Sequence, residues 1–198
     1  MTRIHSDTEE IILLAAKEIF VRKGFDSVRM EEIAQLAGVN KSALHYYFRS
    51  KKKLYDTVFE AELLKFITEL DLILEQDIHL PHKIEEFVST YINFLFENPH
   101  FPLFILNELN NNPERGIRII KEINNKYSTV TKQIGSVSEM LNLTINLLSL
   151  CTFPFICGPF ISKVLFDNNV ANYNLFLHKR KEEVSNLIIQ SFKTINSN

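Results

Sequence analysis

The side chains best suited to chemistry lie between residues 38 and 54, in the stretch GVNKSALHYYFRSKKKL. The stretch holds two adjacent tyrosines, a histidine and five cations, although the chain has a formal net charge of −2. Hydroxyl, imidazole and phenol groups can hydrogen-bond base edges, and lysines neutralise phosphates. The stretch is therefore a candidate surface for binding a nucleic acid.

A helix starting after Asn40 would divide these residues between two faces. At about 100° per residue, one face carries Leu44, Tyr47 and Phe48. The opposite face carries Ser42, His45, Tyr46 and Arg49. We expect the first face to be anchored in a core, with Tyr47 half-buried, and the second face to be exposed to solvent.

A second short amphipathic helix, over residues 30–37, precedes this one and is joined to it by the turn GVN. Two short helices joined by a glycine-containing turn form a helix-turn-helix, whose second helix can enter the major groove of DNA. We place the motif at about residues 29–48. The alternative is a lysine-rich, solvated helix surface whose aromatic side chains pack against the rest of the protein.

Composition predicts an all-α fold. The 198 residues include five glycines and six prolines, too few turn-forming residues for a many-stranded barrel or sandwich. Hydrophobic periodicity predicts about nine helices, at approximately residues 6–23, 30–37, 41–48, 51–75, 80–97, 101–110, 113–133, 137–166 and 172–195. We expect Asn40 and Ser50 to cap the third and fourth helices, and prolines to interrupt the eighth.

Charge divides the chain into two predicted domains. Residues 1–55 hold ten Lys and Arg against seven Asp and Glu, whereas the remainder is acidic. We therefore predict a DNA-binding domain at 1–55, which suits a polyanion, and a larger domain at 56–198 with a different kind of partner.

Several other kinds of protein or site are disfavoured. Cys151 and Cys157 lie in an apolar stretch that predicts neither a disulfide nor a zinc site. The N-terminal residues do not resemble a signal peptide, and the apolar run 147–161 is too short to span a membrane. We expect a cytoplasmic protein with no membrane partner.

The stretch KEIFVRKGFDSVRMEEIAQLAGVNKSALHYYFRSKKKLYDTVF, residues 17–59, resembles the N-terminal domain of the TetR family of bacterial transcriptional regulators. The resemblance covers the first third of the chain and implies DNA contacts at Arg29, Lys41, Ser42, Ala43, His45, Tyr46, Tyr47 and Lys51. Arg29 replaces the Thr or Ser that commonly caps this helix in the family, which leaves Ser27 as the candidate cap.

The same resemblance implies that residues 56–198 form an effector-binding and dimerisation domain. The apolar stripes of residues 137–166 and 172–195 exceed what one small domain needs to bury, which predicts a homodimer that pairs through these two C-terminal helices. Such a dimer would bind a palindromic double-stranded DNA operator and lie with the bacterial nucleoid. The resemblance also implies a repressor that a small hydrophobic effector releases by shifting the fourth helix.

The larger predicted domain offers candidate effector contacts, at Phe66, Tyr91, Phe94, Phe104, Asn107 and Phe153. Aromatic residues more often form ordinary core than pockets. His79 and His82 lack carboxylate or cysteine companions, so we expect no metal and no cofactor.

Two other classes of function were weighed. An enzyme is disfavoured because the sequence shows no phosphate-binding glycine loop, no nucleophile with an evident base and no carboxylate cluster with histidine. A helical adaptor protein remains open but leaves the cationic surface unexplained.

Overall fold

The computed structural model describes residues 2–126, 134 and 136–195, and these residues form ten α-helices with no strand among them. The helices are α1 (Thr2–Lys23), α2 (Met30–Leu36), α3 (Lys41–Tyr47), α4 (Lys51–Leu74), α5 (Leu80–Glu97), α6 (Phe101–Asn111), α7 (Pro113–Lys126), α8 (Val137–Ile156), α9 (Gly158–Phe166) and α10 (Val170–Ile195). The all-α prediction is confirmed.

The predicted interruption of the eighth helix by proline is confirmed. The segment over 137–166 is two helices, because the chain leaves helical geometry at Cys157, just before Gly158 and Pro159. The seventh helix ends at Lys126 among the described residues, and the predicted continuation over 127–133 lies outside them. The described chain therefore has ten helices where about nine were expected.

The chain divides into two compact units. Unit 1 consists of Met1–Phe66 with Leu103–Asn111, and unit 2 consists of Ile67–Pro102 with Asn112–Asn198. The division after Phe66 falls inside α4, as does the predicted boundary after residue 55, whereas most of α6 belongs to unit 1. The assignment of functions to residues 1–55 and 56–198 stays a prediction.

Unit 1 packs α1 to α3, the first part of α4 and most of α6 around an apolar core. Fully buried side chains come from each of the first four helices: Ile12, Ala16 and Phe20, Ile33, Leu44, and Leu54 and Phe59. Tyr55 lies edge-on to Phe20 and Phe104, with ring centroids 5.1 and 5.5 Å apart. Aromatic contacts of this geometry add to the stability that burial supplies.

Short-range signals set the helix ends of unit 1. Gly24 and Gly38 have φ of 75° and 66°, a left-handed conformation that glycine adopts without a Cβ clash, and both follow helix ends. The Asn40 side chain accepts a hydrogen bond from the Ala43 amide at 2.7 Å. The Ser50 hydroxyl accepts one from the Lys53 amide at 3.1 Å. Both predicted caps are confirmed.

Unit 2 is organised around α5, α8 and α10, which pack against one another. Tyr91 on α5 and Thr152 on α8 share a buried hydrogen bond of 2.8 Å. Lys181 on α10 donates to the side-chain oxygen of Asn93 on α5. The apolar core around these bonds includes Val88, Ile92, Leu147, Val184 and Ile188.

Proline 154 lies inside α8 and has no N–H to donate to the carbonyl of Leu150, four residues earlier. The Arg180 guanidinium on α10 donates to that carbonyl instead, at 2.9 Å. The Tyr173 hydroxyl, also on α10, donates to the Pro154 carbonyl at 2.5 Å. The last helix therefore satisfies backbone groups at the end of α8.

By length and composition alone, Ser138–Ile156 within α8 would be able to cross a membrane. A core helix of a folded domain meets the same criterion. Here α8 packs against α5 and α10 and bonds to both through side chains. These contacts are those of a helix that helps to form the core of unit 2.

Candidate nucleic-acid interface

The candidate interface is built on α3, which the core of unit 1 holds from beneath. Leu44 is completely buried, and Phe48, just after the helix, is 2% exposed. Asn40 fixes the start of the helix through its cap. Because one side is anchored in this way, the opposite side is held towards solvent, as the helical pattern predicts.

The outward side carries the predicted hydrogen-bonding groups. Ser42, His45, Tyr46 and Arg49 are all exposed, and Tyr46 keeps 73% of its accessible surface. The Tyr46 ring meets the Tyr47 ring edge-on at 5.3 Å between centroids. Tyr47 and Ala43 are half-buried, which agrees with the intermediate position expected for Tyr47. Histidine, serine and tyrosine are thus presented together within one turn and a half of helix.

Arg29 occupies the N-cap position of α2 and is exposed, so its side chain is accessible beside the motif. The expectation that Ser27 caps α2 is wrong, because α2 begins without any side-chain cap bond. The Arg29 carbonyl instead accepts from the amides of Glu32 and Ile33, and Glu31 and Glu32 lie in the first turn. Negative charges there favour the helix start without a cap.

Lys51 has partners inside unit 1. Its ammonium donates to the Val28 carbonyl at 2.8 Å and lies 4.3 Å from the centre of the Phe25 ring. These contacts tie the start of α4 to the segment that joins α1 and α2. Its predicted contact with DNA phosphate stays a prediction, and an amine held in this way is less available than a free one.

Two acidic residues near the interface were missed by the sequence reasoning. Glu31 accepts a hydrogen bond from the Lys41 ammonium, and Glu32 accepts one from Lys23 at 2.6 Å. These hydrogen bonds lower the pKa of both carboxyl groups below their usual value. The partners are ten and nine residues apart in the sequence, so no helical spacing would have suggested the pairs.

Comparisons with known sequences place this interface in a family. A sequence model described as "Bacterial regulatory proteins, tetR family" matches residues 12–58. The HTH-type transcriptional regulator RutR of Escherichia coli is 47% identical over 57 residues, which are 29% of this chain and 27% of RutR. The repressor NicS of Pseudomonas putida is 31% identical over 102 residues, which are 51% of this chain and 48% of NicS.

Solved structures extend the likeness to the whole fold. A TetR-like transcriptional regulator from a Rhodococcus species matches with a TM-score of 0.64 and 14% identity, over 94% of this chain and 96% of its own. A putative TetR-family regulator from Mesorhizobium loti gives 0.62 at 18% identity, over 96% and 98%. At such identities the likeness concerns the fold.

Residues 12–58 are a DNA-binding domain of the TetR family.

A TetR-family protein is a DNA-binding regulator of transcription, and the matched residues 12–58 contain the whole helix-turn-helix. The chain spans about a quarter to a half of the length of these curated relatives. Its relatives are regulators, which agrees with the low weight given to an enzyme.

The candidate effector contacts are divided between the two units. Phe66, Phe104 and Asn107 belong to unit 1, whereas Tyr91, Phe94 and Phe153 belong to unit 2. Phe104 packs on Tyr55 and Phe59 as ordinary core, and Phe153 is 60% exposed. Tyr91 and Phe94 are the two buried members in unit 2, and an effector role for all six stays a prediction.

Metal binding was also examined at the two neighbouring histidines. His82 pairs with Glu85 at 3.0 Å on an exposed turn of α5, while His79 precedes that helix. Within the described ranges no three histidine, cysteine or acidic side chains are grouped so that they could hold a metal.

Proposed function

We propose that this TetR-family chain is a homodimeric repressor that leaves a palindromic operator when a small hydrophobic effector binds. The observation that carries the DNA-binding step is the exposed side of α3, with His45 and Tyr46 held outward by the buried Leu44. Donor and acceptor groups on a helix of this width suit the edges of bases in the major groove.

In the proposed complex, different side chains have different tasks. Ser42, His45 and Tyr46 contact bases, while Lys41, Tyr47, Lys51 and Arg29 contact phosphates. Ala43, which is half-buried, brings the backbone close to the duplex. Base contacts select the sequence, and phosphate contacts fix orientation and supply affinity that falls with salt.

The homodimer is supported by apolar surface on α9 and α10. On α9, Phe160 and Leu165 are each 67% exposed. On α10, Leu175 and Leu187 are each 55% exposed. Large apolar side chains exposed on two helices that pack against each other favour a protein interface. Pairing these helices around a twofold axis would form a four-helix bundle and present two α3 helices to a palindrome, whose half-sites lie about 34–36 Å apart.

The effector step rests on α4, which belongs to both units. In unit 1, Lys17 on α1 pairs with the buried Glu62 carboxylate at 2.9 Å. In unit 2, the buried Lys83 ammonium of α5 donates to the Leu74 carbonyl at the end of α4, at 2.8 Å. A helix attached at both ends can transmit a displacement from one unit to the other. An effector acts only if it prefers the arrangement that fits DNA poorly.

The DNA-binding step is tested by gel shift of the purified full chain against fragments of genomic DNA. We expect His45→Ala and Tyr46→Ala to lose selective binding while the circular-dichroism spectrum and melting midpoint remain those of the wild type. His100→Ala is the matched control, since His100 is exposed outside the motif and should bind as the wild type does. Wild-type indifference to every fragment would favour an adaptor role.

The localisation follows from this function. A regulator that reads chromosomal DNA acts in the bacterial cytoplasm, where the nucleoid lies. Imaging of a tagged full-length chain should show it over the nucleoid, and an envelope location would contradict the proposal.

A further inference from the structure

Lys41, the first residue of α3, is not a free cation in this structure. Its ammonium donates to a carboxylate oxygen of Glu31, and the two side chains keep 60% and 59% of their accessible surface. The pair joins α3 to the first turn of α2. Glu31 therefore occupies, in the unbound protein, the partner position that a DNA phosphate would take.

A carboxylate and a phosphate offer the same ligand to an ammonium group, which is a negatively charged oxygen acceptor. An exposed ion pair is weak and is screened by salt, so a dense row of phosphates can displace Glu31 from Lys41. Breaking the Lys41–Glu31 pair costs free energy, so Glu31 opposes the contact between Lys41 and phosphate.

We propose that Glu31 competes internally with DNA phosphate for Lys41 and thereby sets the strength and salt dependence of DNA binding. This inference rests on the proposed function, because it assumes that Lys41 faces the duplex. A phosphate contact carries no sequence information, so Glu31 acts on operator and unrelated DNA alike. Its role is to lower the affinity for DNA of any sequence while leaving the preference for the operator unchanged.

Glu32 provides a matched control. It is the next residue of the same first turn, it carries the same charge, and its pKa is lowered in the same way. Its ion pair is made with Lys23 at the end of α1 and does not involve α3. Glu31→Gln and Glu32→Gln thus remove equal charge from the same end of α2, but only the first frees Lys41.

The experiment measures dissociation constants of the full chain over a range of salt concentrations. The probes are a random-sequence duplex and a genomic fragment that the wild type enriches. The variants are Glu31→Gln, Glu32→Gln, Lys41→Gln and the double variant Glu31→Gln with Lys41→Gln. Melting midpoints by circular dichroism verify that each variant is folded.

We expect Glu31→Gln to tighten both probes about two- to fivefold at low salt, and to steepen the plot of log K against log salt by up to about 0.9. Glu32→Gln should shift both quantities by less than half as much. In the Lys41→Gln background, Glu31→Gln should change almost nothing. This loss of effect would show that Glu31 acts through Lys41, since a long-range charge effect would persist.

Two results overturn the inference and are distinguishable from failure of the proposed function. Wild-type binding with an unchanged Glu31→Gln variant would exclude the competition while leaving the regulator intact. Equal gains from Glu31→Gln and Glu32→Gln, or a gain that survives Lys41→Gln, would assign the effect to general charge. Failure of the wild type to bind either probe would overturn the proposed function and, with it, this role of Glu31.

Discussion

The helix ends of the helix-turn-helix and the packing of unit 2 depend on bonds of very different range. In the helix-turn-helix region, caps join residues three apart, Asn40 with Ala43 and Ser50 with Lys53, and Gly24 and Gly38 follow helix ends. In unit 2, Tyr91 bonds to Thr152 and Lys181 to Asn93, across 61 and 88 residues. The short helices of unit 1 are therefore bounded by neighbours in the sequence, whereas the long helices of unit 2 are joined by partners far along the chain.

This contrast matches what the comparisons find. Residues 12–58, inside unit 1, are matched by the family model, and the 47% identity to RutR covers only 57 residues. The full-length structural neighbours share 14% and 18% of their residues with this chain. The family model thus falls within the unit that holds the helix-turn-helix, whereas the likeness over the whole chain is one of fold.

The largest expected effect comes from breaking a long-range bond in unit 2. Arg180→Met keeps much of the apolar stem but leaves the Leu150 carbonyl without its donor, because Pro154 has no N–H. A part-buried carbonyl that loses its partner costs about 1–3 kcal/mol of the free energy of unfolding. Urea unfolding followed by circular dichroism would measure the loss.

A second substitution tests the cause. Pro154→Ala restores an N–H four residues after Leu150, so it should recover part of the stability in the Arg180→Met background. The ion pair of Arg180 with Glu183 is long, at 3.9 Å, and Glu183→Gln should have little effect. If Pro154→Ala gives no recovery, Arg180 stabilises unit 2 by packing or charge, and the substitute-donor explanation is wrong.

The same contrast explains how much the sequence could predict. The helices, the caps at Asn40 and Ser50 and the outward side of α3 all follow from spacing within a few residues. The break at Cys157 lies beside Pro159, where the sequence predicts an interruption by proline. The Lys41–Glu31 pair and the contacts of Lys51 depend on how α2, α3 and α4 pack together, which no single-helix pattern contains.

Alkaline pH should destabilise unit 2 through its buried thiol. Burial raises the pKa of Cys151 from 9.0 to about 12. Between these values the unfolded thiol ionises and the folded one does not, so the stabilisation is complete below pH 9 and is lost as pH rises towards 12. The expected slope reaches about 1.4 kcal/mol per pH unit. Tyr91, whose pKa burial raises from 10.0 to about 12, adds a second loss from pH 10 upward.

Urea midpoints at about pH 8 and 10 isolate the thiol, because this window lies mostly below the ionisation of tyrosine. Cys151→Ala should lose less stability across the window than the wild type. Cys157→Ala, at a half-buried cysteine in the same unit, retains Cys151 and should keep the wild-type loss. An equal loss of stability between these two pH values in all three proteins would show that ionisation of Cys151 does not control the destabilisation at alkaline pH.

The smallest expected effects concern two glycines that are required for different reasons. Gly38 in unit 1 has a φ of 66° and nothing within 4 Å of an added Cβ, so Gly38→Ala should cost about 1 kcal/mol through backbone strain alone. Gly158 in unit 2 would place a Cβ 3.1 Å from the Tyr173 hydroxyl, which is held on the Pro154 carbonyl. Gly158→Ala should therefore cost about as much in the wild type but little in a Tyr173→Phe background, measured as a double-mutant cycle by urea unfolding. No side chain would contact the Cβ of Ala at position 38, so no second substitution should relieve the cost of Gly38→Ala. If Tyr173→Phe relieves the cost of Gly158→Ala, then Gly158 is required because of a side chain far along the chain, whereas Gly38 is required because of its backbone conformation. If the cost is not relieved, the difference between local and distant determinants holds only for the hydrogen bonds.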